Sequence, residues 1–403
     1  MNKIAVIGGG ASGIMAALTA AEDKNNRVLL IERQQRIGRK LLATGNGRCN
    51  LTNTGAGLTN YHGKHPEFVL PALEKFPPAA ALEFFHGLGL LTVTEDGGRV
   101  YPLSNSANSV LDVLRFALEK RGVELMTACP VRELRREKKG YTIITDEGGI
   151  YADKLIVACG GAAGGKLGGV MDGYKLLAPL GHQRTALHPA LVQLTTEADY
   201  PRALKGVRAD GRIWLTAGGR TLAESAGEIQ FTEKGVSGIA AFDISRAAAF
   251  CAEGGQVHLD FMRGYSSGDV LEMLRRRREQ LPELLAEELF TGMLHNRLGR
   301  MIVKYAGLDR AAALGGLSDK DLRAAAESCK DFALKLRGTE GFDAAQVTAG
   351  GLMTGDFDPQ TLESRICPGL FVCGELLDID GDCGGYNLQW AWASGRLAGR
   401  LGR

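Results

Sequence analysis

The chain has 403 residues, 45% hydrophobic and 23% charged, with 48 basic against 46 acidic side chains and a net charge of +2. That length predicts two or three domains of ordinary soluble composition, and the charge balance excludes a global pull towards nucleic acid or anionic lipid. The eight cysteines (49, 129, 159, 251, 329, 367, 373 and 383) form no C-x-x-C pair, which argues against a zinc site or dithiol centre and predicts reduced thiols in a cytoplasmic protein. The opening Met1-Asn2-Lys3-Ile4 meets glycine too early for a signal peptide, and no window approaches the roughly 20 apolar residues of a membrane span.

The first element is an apolar run, Ile4 to Ile7, of the kind that forms a strand buried on both faces. Gly8, Gly10 and Gly13 follow as G-x-G-x-x-G, then a helix of small and apolar residues from Ala11 to Ala21, then a second strand, Val28 to Ile31, ended by Glu32. Each part has a physical task. Gly8 allows a tight turn, Gly10 lets backbone approach a pyrophosphate, and Gly13 lets helix pack on strand. The helix start, with Ala11 and Ser12, offers N–H groups and a positive dipole end to phosphates. Glu32, with Arg33 beside it, is placed to take both hydroxyls of an unphosphorylated ribose. These residues predict FAD or NAD binding, and the fingerprint alone does not choose.

Next comes "GRKLLATGNGRCNLTN" (38–53), where a nicotinamide enzyme would run into another helix. It reads as a long, cationic, glycine-rich loop covering the pyrophosphate and the isoalloxazine ring of a flavin. Arg39 and Lys40 would offset phosphate charge, Leu41 would pack beneath, and the N–H groups of Thr44, Gly45, Asn46 and Gly47 would face flavin oxygens. Lys154 to Cys159 is a further strand, and Gly160-Gly161 turns the chain back to the cofactor. Near the C-terminus Leu370 to Cys373 makes another buried strand ending in Gly374-Glu375. The run Asp378 to Gly385 follows, and Tyr386-Asn387-Leu388 opens a helix that would point its positive end at the flavin pyrimidine. Asp378, Asp380 and Asp382 alternatively form a solvated acidic turn.

"GRKLLATGNGRCNLTN" resembles the signature of the BaiN/RdsA-type (YhiN-type) NAD(P)/FAD-dependent oxidoreductases. "LIVACGGAAGGKLGGVMDGYKLLAPLGHQRTALHPALVQL", "GEIQFTEKGVSGIAAFDISR" and the segment from Val347 to Gly399 resemble the same family, so the likeness spans the chain. The resemblance implies a flavoprotein of the two-dinucleotide-binding-domain group, with Val131 contacting adenine through its main chain. It also implies reduction of a carbon–carbon double bond conjugated to a carbonyl, as in steroid-like molecules.

Such a reaction needs a hydride from flavin, a donor to the carbonyl and an acid for the α carbon. Arg48 and Asn50 are candidate polar donors, Tyr386 a candidate acid, and Cys49 a substrate contact, a redox thiol or a small packing residue. His182 and His188 read as structural histidines. NAD(P)H is the expected reductant, although no second ribose-binding unit follows "GGAAGG" (160–165). The alternatives are a flavoenzyme acting on folate or tRNA and a non-catalytic FAD-binding protein.

The middle of the chain changes character. Short strands and turns, with turns at Asp210-Gly211 and Gly218-Gly219, occupy about 190 to 262. Residues 268 to 328 have helical spacing, and Phe332 to Arg337 is a closing strand. The fold expected is α/β, a Rossmann-like FAD-binding domain of glutathione-reductase type (1–188 and 343–403). Into it is inserted a β-rich domain (189–262 and 329–342), and into that a helical domain (263–328). Arg275 to Arg278 reads as the solvated face of a helix balanced by nearby glutamates. No internal repeat and no metal site are expected; the partner is a small-molecule substrate.

Overall fold

A computed structural model describes residues 1–251 and 254–403, which fall into two compact units: 1–188 with 346–403, and 189–345. In the first unit five parallel strands stand in the order Leu370–Val372, Lys154–Val157, Asn2–Ile7, Asn26–Ile31 and Glu124–Met126. Ile4 to Ile7, Leu155 to Val157 and Leu370 to Val372 are all buried, as unbroken apolar runs in a parallel sheet should be. A smaller antiparallel sheet is made by Val131–Arg136, Tyr141–Thr145 and Gly148–Ala152.

The strand–glycine–helix–strand unit is present, with the first helix at Ala11–Ala20 and every residue from Ser12 onward buried. The last helix, Tyr386–Gly399, lies against it. A Cβ on Gly395 would stand 2.4 Å from the Ser12 carbonyl oxygen, and one on Gly399 2.6 Å from that of Ala16. Pairing 395 with 12 and 399 with 16 makes the two helices parallel. Their N-termini therefore face the same way, and the last helix starts about eight residues, roughly 12 Å, further forward.

The second unit is a closed six-stranded barrel in the order Leu194–Thr196, Gly235–Ser237, Arg220–Phe231, Arg208–Ala217, Gln256–Asp260 and Phe332–Thr339. The strand expected from Phe332 closes it, pairing with Gln256–Asp260 and with Leu194–Thr196. Gly218-Gly219 makes its turn with positive φ at both residues. Asp210-Gly211 does not turn; it lies within a strand opposite Glu228 and Gly227. Gly211 is there for close approach, since a Cβ would stand 2.6 Å from the Asp260 carbonyl oxygen.

The stretch read as short strands also holds two helices, Asp199–Leu204 and Ile239–Phe250. The second buries Ala240, Ala241, Ile244, Ser245 and Ala248, a helical period among small residues. Helices Ser267–Gln280, Asn296–Tyr305 and Asp319–Lys330 fill the helical stretch. The arginine run is absorbed within this unit: Arg275 and Arg278 pair with Asp319, Arg276 with Glu272, and Arg277 donates to the Thr291 carbonyl.

Candidate functional site

Gly8 has φ +108° and a Cβ there would stand 2.4 Å from the Ala158 carbonyl oxygen; a Cβ on Gly13 would meet the Gly8 carbonyl oxygen at 1.9 Å. A Cβ on Gly10 would meet nothing within 4 Å. Two glycines thus serve packing, and the third faces open space. The first helix starts at Gly10 with no side-chain cap and no acid in its first turn, so its amides and dipole remain on offer. Glu32 accepts the N–H groups of Gly9 and Gln34, each at 2.7 Å, which fixes its carboxylate at the strand end. The Cys129 N–H bonds the Glu32 carbonyl at 3.0 Å, drawing Val131 to the same corner. Arg33 donates to the Gly168 carbonyl at 2.9 Å.

The 38–53 stretch is not the open loop expected. It begins as a helical turn, Arg39–Ala43, and tightens into Thr44–Gly47. Gly45, Asn46, Gly47 and Cys49 all have positive φ, so the peptide groups turn sharply in sequence. Arg39 bonds the Gln34 carboxamide at 2.6 Å and the Lys166 carbonyl at 3.0 Å. Lys40 pairs with Glu375 at 2.6 Å. The other Glu375 oxygen accepts the Thr348 N–H at 2.8 Å, and the Thr348 hydroxyl accepts the Ala163 N–H at 3.0 Å. The Glu375 carboxylate and the Thr348 hydroxyl together tie four segments of the chain, with Gly161 packed on Thr348.

Leu41 is buried and accepts the Thr44 hydroxyl. The Arg48 guanidinium lies 4.0 Å from the Tyr101 ring centre and bonds Glu95 and Asn105. Cys49 is fully buried, and burial pushes its thiol up to about 12, so it stays protonated at neutral pH. That is the placement of a packing residue. Beside it, the Asn50 Oδ1 is buried and has no hydrogen-bond partner among the described residues.

Gly374 seats the C-terminal segment on the first helix, where a Cβ would lie 2.4 Å from the Ser12 hydroxyl. Gly160, at φ +73°, faces open space. Burial likewise pushes Cys159 and Cys373 up to about 12. Asp378 and Asp380 are buried, so the acidic run is no solvated turn. Asp380–Gly381 pairs antiparallel with Tyr61–His62, and Asp382 accepts from His62 Nε2 at 2.7 Å and from Asn60 at 3.3 Å.

The Asn387 side chain clamps the turn, accepting the Gly381 N–H at 2.8 Å and donating to the Gly381 carbonyl at 2.7 Å. Asn53 donates to the Gly384 carbonyl at 3.0 Å, and at Gly385 (φ +100°) a Cβ would stand 2.5 Å from the Thr52 carbonyl oxygen. The last helix then starts without a side-chain cap or an acid in its first turn. Tyr61 donates to the Tyr386 carbonyl at 3.0 Å, and Leu388 packs on the core. His182 is structural, bonded to Ser364 at 2.8 Å and stacked on Phe357; His188 is half-buried.

Three residues of this region carry no sequence signal. Tyr174 is buried, and its hydroxyl lacks a hydrogen-bond partner among the described residues. Thr348 organises the Glu375 junction, and His62 pairs with Asp382. A tyrosine in an apolar helix or a histidine in "NYHGKH" has nothing local to mark it; the pairing of distant segments does.

The chain matches the HI0933-like protein Rossmann domain family over residues 2–401. It is 41% identical over 404 residues to the 3-dehydro-bile acid delta(4,6)-reductase of Clostridium scindens, covering 99% of this chain and 98% of that one. It is 29% identical to the ribosomal RNA dihydrouridine synthase of Escherichia coli, covering 96% and 95% respectively. Among solved structures, 3-ketosteroid delta1-dehydrogenase from Sterolibacterium denitrificans aligns over 99% of both chains, with 14% identity and a TM-score of 0.50, a likeness of fold.

Proposed function

Because this chain belongs to the HI0933-like protein Rossmann domain family, we propose that it is an FAD-dependent reductase that saturates a double bond conjugated to a carbonyl in a hydrophobic small molecule. NAD(P)H is the proposed electron source. The chain is a Rossmann-fold, flavin-dependent oxidoreductase; the acceptor and the nicotinamide go further than that.

The observation that carries the reading is the pair of parallel, uncapped helix N-termini at staggered depth. The rear one suits a diphosphate, and the forward one suits the negative charge of a reduced flavin ring. The groups present fit FAD. Gly8, Gly10, Ala11, Ser12 and Gly13 would hold the diphosphate, Glu32 the ribose and Val131 the adenine. Gly160, Gly161, Gly374 and the start of the last helix would hold the ribityl and ring. The unsatisfied Asn50 oxygen costs about 1–3 kcal/mol while no donor meets it, and a flavin ring N–H is such a donor.

When bound, the flavin supplies hydride. The chain's own residues orient the acceptor and manage charge and protons. Asn50 remains the candidate polar donor, while Arg48, neutralised by Glu95, and Cys49, buried and protonated, hold the turn that presents it. Both named relatives support the double-bond reading, since a delta(4,6)-reductase and a dihydrouridine synthase each add hydrogen across a double bond. The free thiols of Cys49, Cys129, Cys159, Cys251, Cys329, Cys367 and Cys373 support a reducing compartment, the cytoplasm.

The second relative favours a second reading, an RNA base as acceptor. The near-neutral charge and the internally paired arginine run weigh against it. Stopped-flow absorbance separates the two. Bleaching of bound flavin by NADH or NADPH and rapid recovery with a steroidal enone supports the first. Recovery only with unmodified ribosomal RNA supports the second. A protein that takes up no FAD refutes both.

A further inference from the structure

Reduction of a conjugated double bond ends with a proton on the α carbon, and the turn before the last helix contains an oriented acid. We infer that His62, held by Asp382, is the catalytic acid that delivers this proton, an inference that rests on the double-bond reading above. His62 sits on the two-residue strand Tyr61–His62, opposite Asp380 in register. Its Nε2 is fixed on the Asp382 carboxylate at 2.7 Å. Its Nδ1 has no hydrogen-bond partner among the described residues, so one ring nitrogen is anchored and the other is free to act.

Asp382 is in turn fixed. Asn60 donates to its second oxygen, and Asn387 holds its carbonyl at 3.3 Å from the first turn of the last helix. The dyad is thus built into the same turn as Gly385, against which the unsatisfied Asn50 oxygen lies.

The charged and titratable groups around the ring come from both paired strands and the helix behind them. They include Asp378, Asp380, Asp382 and Cys383 on one strand and its turn, Tyr61 and Lys64 on the other, Tyr386, and Arg99 packed at Gly384. Asp378 is already engaged by the Lys64 N–H at 3.2 Å. Tyr61 donates to the Tyr386 carbonyl, and burial pushes its phenol far upward, which makes it a poor acid. An imidazole can carry a proton on one ring nitrogen while the other stays bonded to a carboxylate, which is the geometry a general acid needs. The His62 side chain is 36% exposed, so water can recharge it between turnovers.

A bound flavin would supply hydride to the β carbon, and the enolate so formed would take its proton from His62. The Nδ1–H bond of the His62 imidazolium breaks as the α carbon–hydrogen bond forms. Its electron pair stays on nitrogen, leaving a neutral ring whose Nε2–H still faces Asp382. Water then restores the proton. Asp382 is a positioning residue: it selects the tautomer and does not touch substrate.

The test compares wild type, His62→Gln and Asp382→Asn as flavin-loaded proteins. All three should bleach with dithionite at equal rates and be reoxidised by oxygen equally. Reoxidation by a steroidal enone should slow about 100-fold or more in His62→Gln, on the scale of a lost general acid. In Asp382→Asn the loss should be smaller. By 15N NMR, the neutral ring of wild type should carry its proton on Nε2, and Asp382→Asn should erase that preference.

A wild type reoxidised by an enone, with His62→Gln keeping pace, overturns the inference alone. Equal population of both tautomers in wild type also overturns it. A wild type that no enone reoxidises sinks the underlying reading and the inference together.

Discussion

In the second unit, Ser266 and Ser318 accept the N–H groups of Asp269 and Asp321, and those carboxylates reach back to the serine N–H groups. Helices Ser267–Gln280 and Asp319–Lys330 thus begin with their donors satisfied and an acid at the positive end. In the first unit, the helices that begin at Gly10 and Gly385 have neither cap nor acid. A helix capped in this way has already spent the amides of its first turn. Bare ends also occur at Pro78–Gly87, Ala107–Lys120 and Ile239–Phe250; the two at Gly10 and Gly385 are set apart because their helices lie parallel at staggered depth.

Substitutions can break this comparison. The largest effect is expected at Gly13→Ala, because a methyl group 1.9 Å from the Gly8 carbonyl oxygen forces helix from strand. We expect a loss of about 3 kcal/mol or more in urea unfolding and no flavin uptake. Its partner, Gly10→Ala, meets no protein atom; melting of the apoprotein should hold while FAD affinity falls roughly tenfold or more, since the backbone no longer approaches the diphosphate closely. Equal behaviour of the two would mean that the bare N-terminus binds nothing.

Alkaline titration comes next. Cys49, Cys159 and Cys373 in the first unit and Cys329 in the second are pushed by burial from an ordinary 9.0 to about 12. The folded chain holds these protons more tightly than the unfolded chain. Their contribution is therefore complete below about 9 and lost as pH rises towards 12. With three such thiols against one, the first unit should lose more. Urea unfolding at pH 8 and pH 11, read by Trp390 and Trp392 in a Trp214→Phe background, should show the larger fall, and Trp214 alone the smaller. The smallest effect is Ser318→Ala, about 1 kcal/mol from a lost cap, with unchanged flavin absorbance.

The sequence made the first unit legible where physics is local. Gly8, Gly10 and Gly13 sit between an apolar run and a helix, and that adjacency states its own geometry. The Phe332 strand and the Gly218-Gly219 turn were likewise readable from period and turn chemistry. Asp210-Gly211 misled because a glycine needed for close packing inside a strand looks the same as one needed for a turn. The helix at Ile239 was missed because its buried face is mostly alanine, which gives hydropathy little contrast. The 38–53 stretch stands out by its glycines and basic pair, yet its helical start is hidden by the glycines that follow. His62 and Asp382 are 320 residues apart, and only the pairing of two short strands brings them together.

The first unit is written in two pieces: Trp392 bonds the Leu51 carbonyl at 2.9 Å, Asn53 bonds that of Gly384, and the sheet needs Leu370–Val372 at its edge. During synthesis on the ribosome, residues 1–188 therefore wait, with the small-residue face of the first helix uncovered, while the contiguous stretch 189–345 is made and can close its barrel. The unit proposed to take up FAD is thus the last to be completed, since Tyr386–Gly399 must emerge before the first helix is covered.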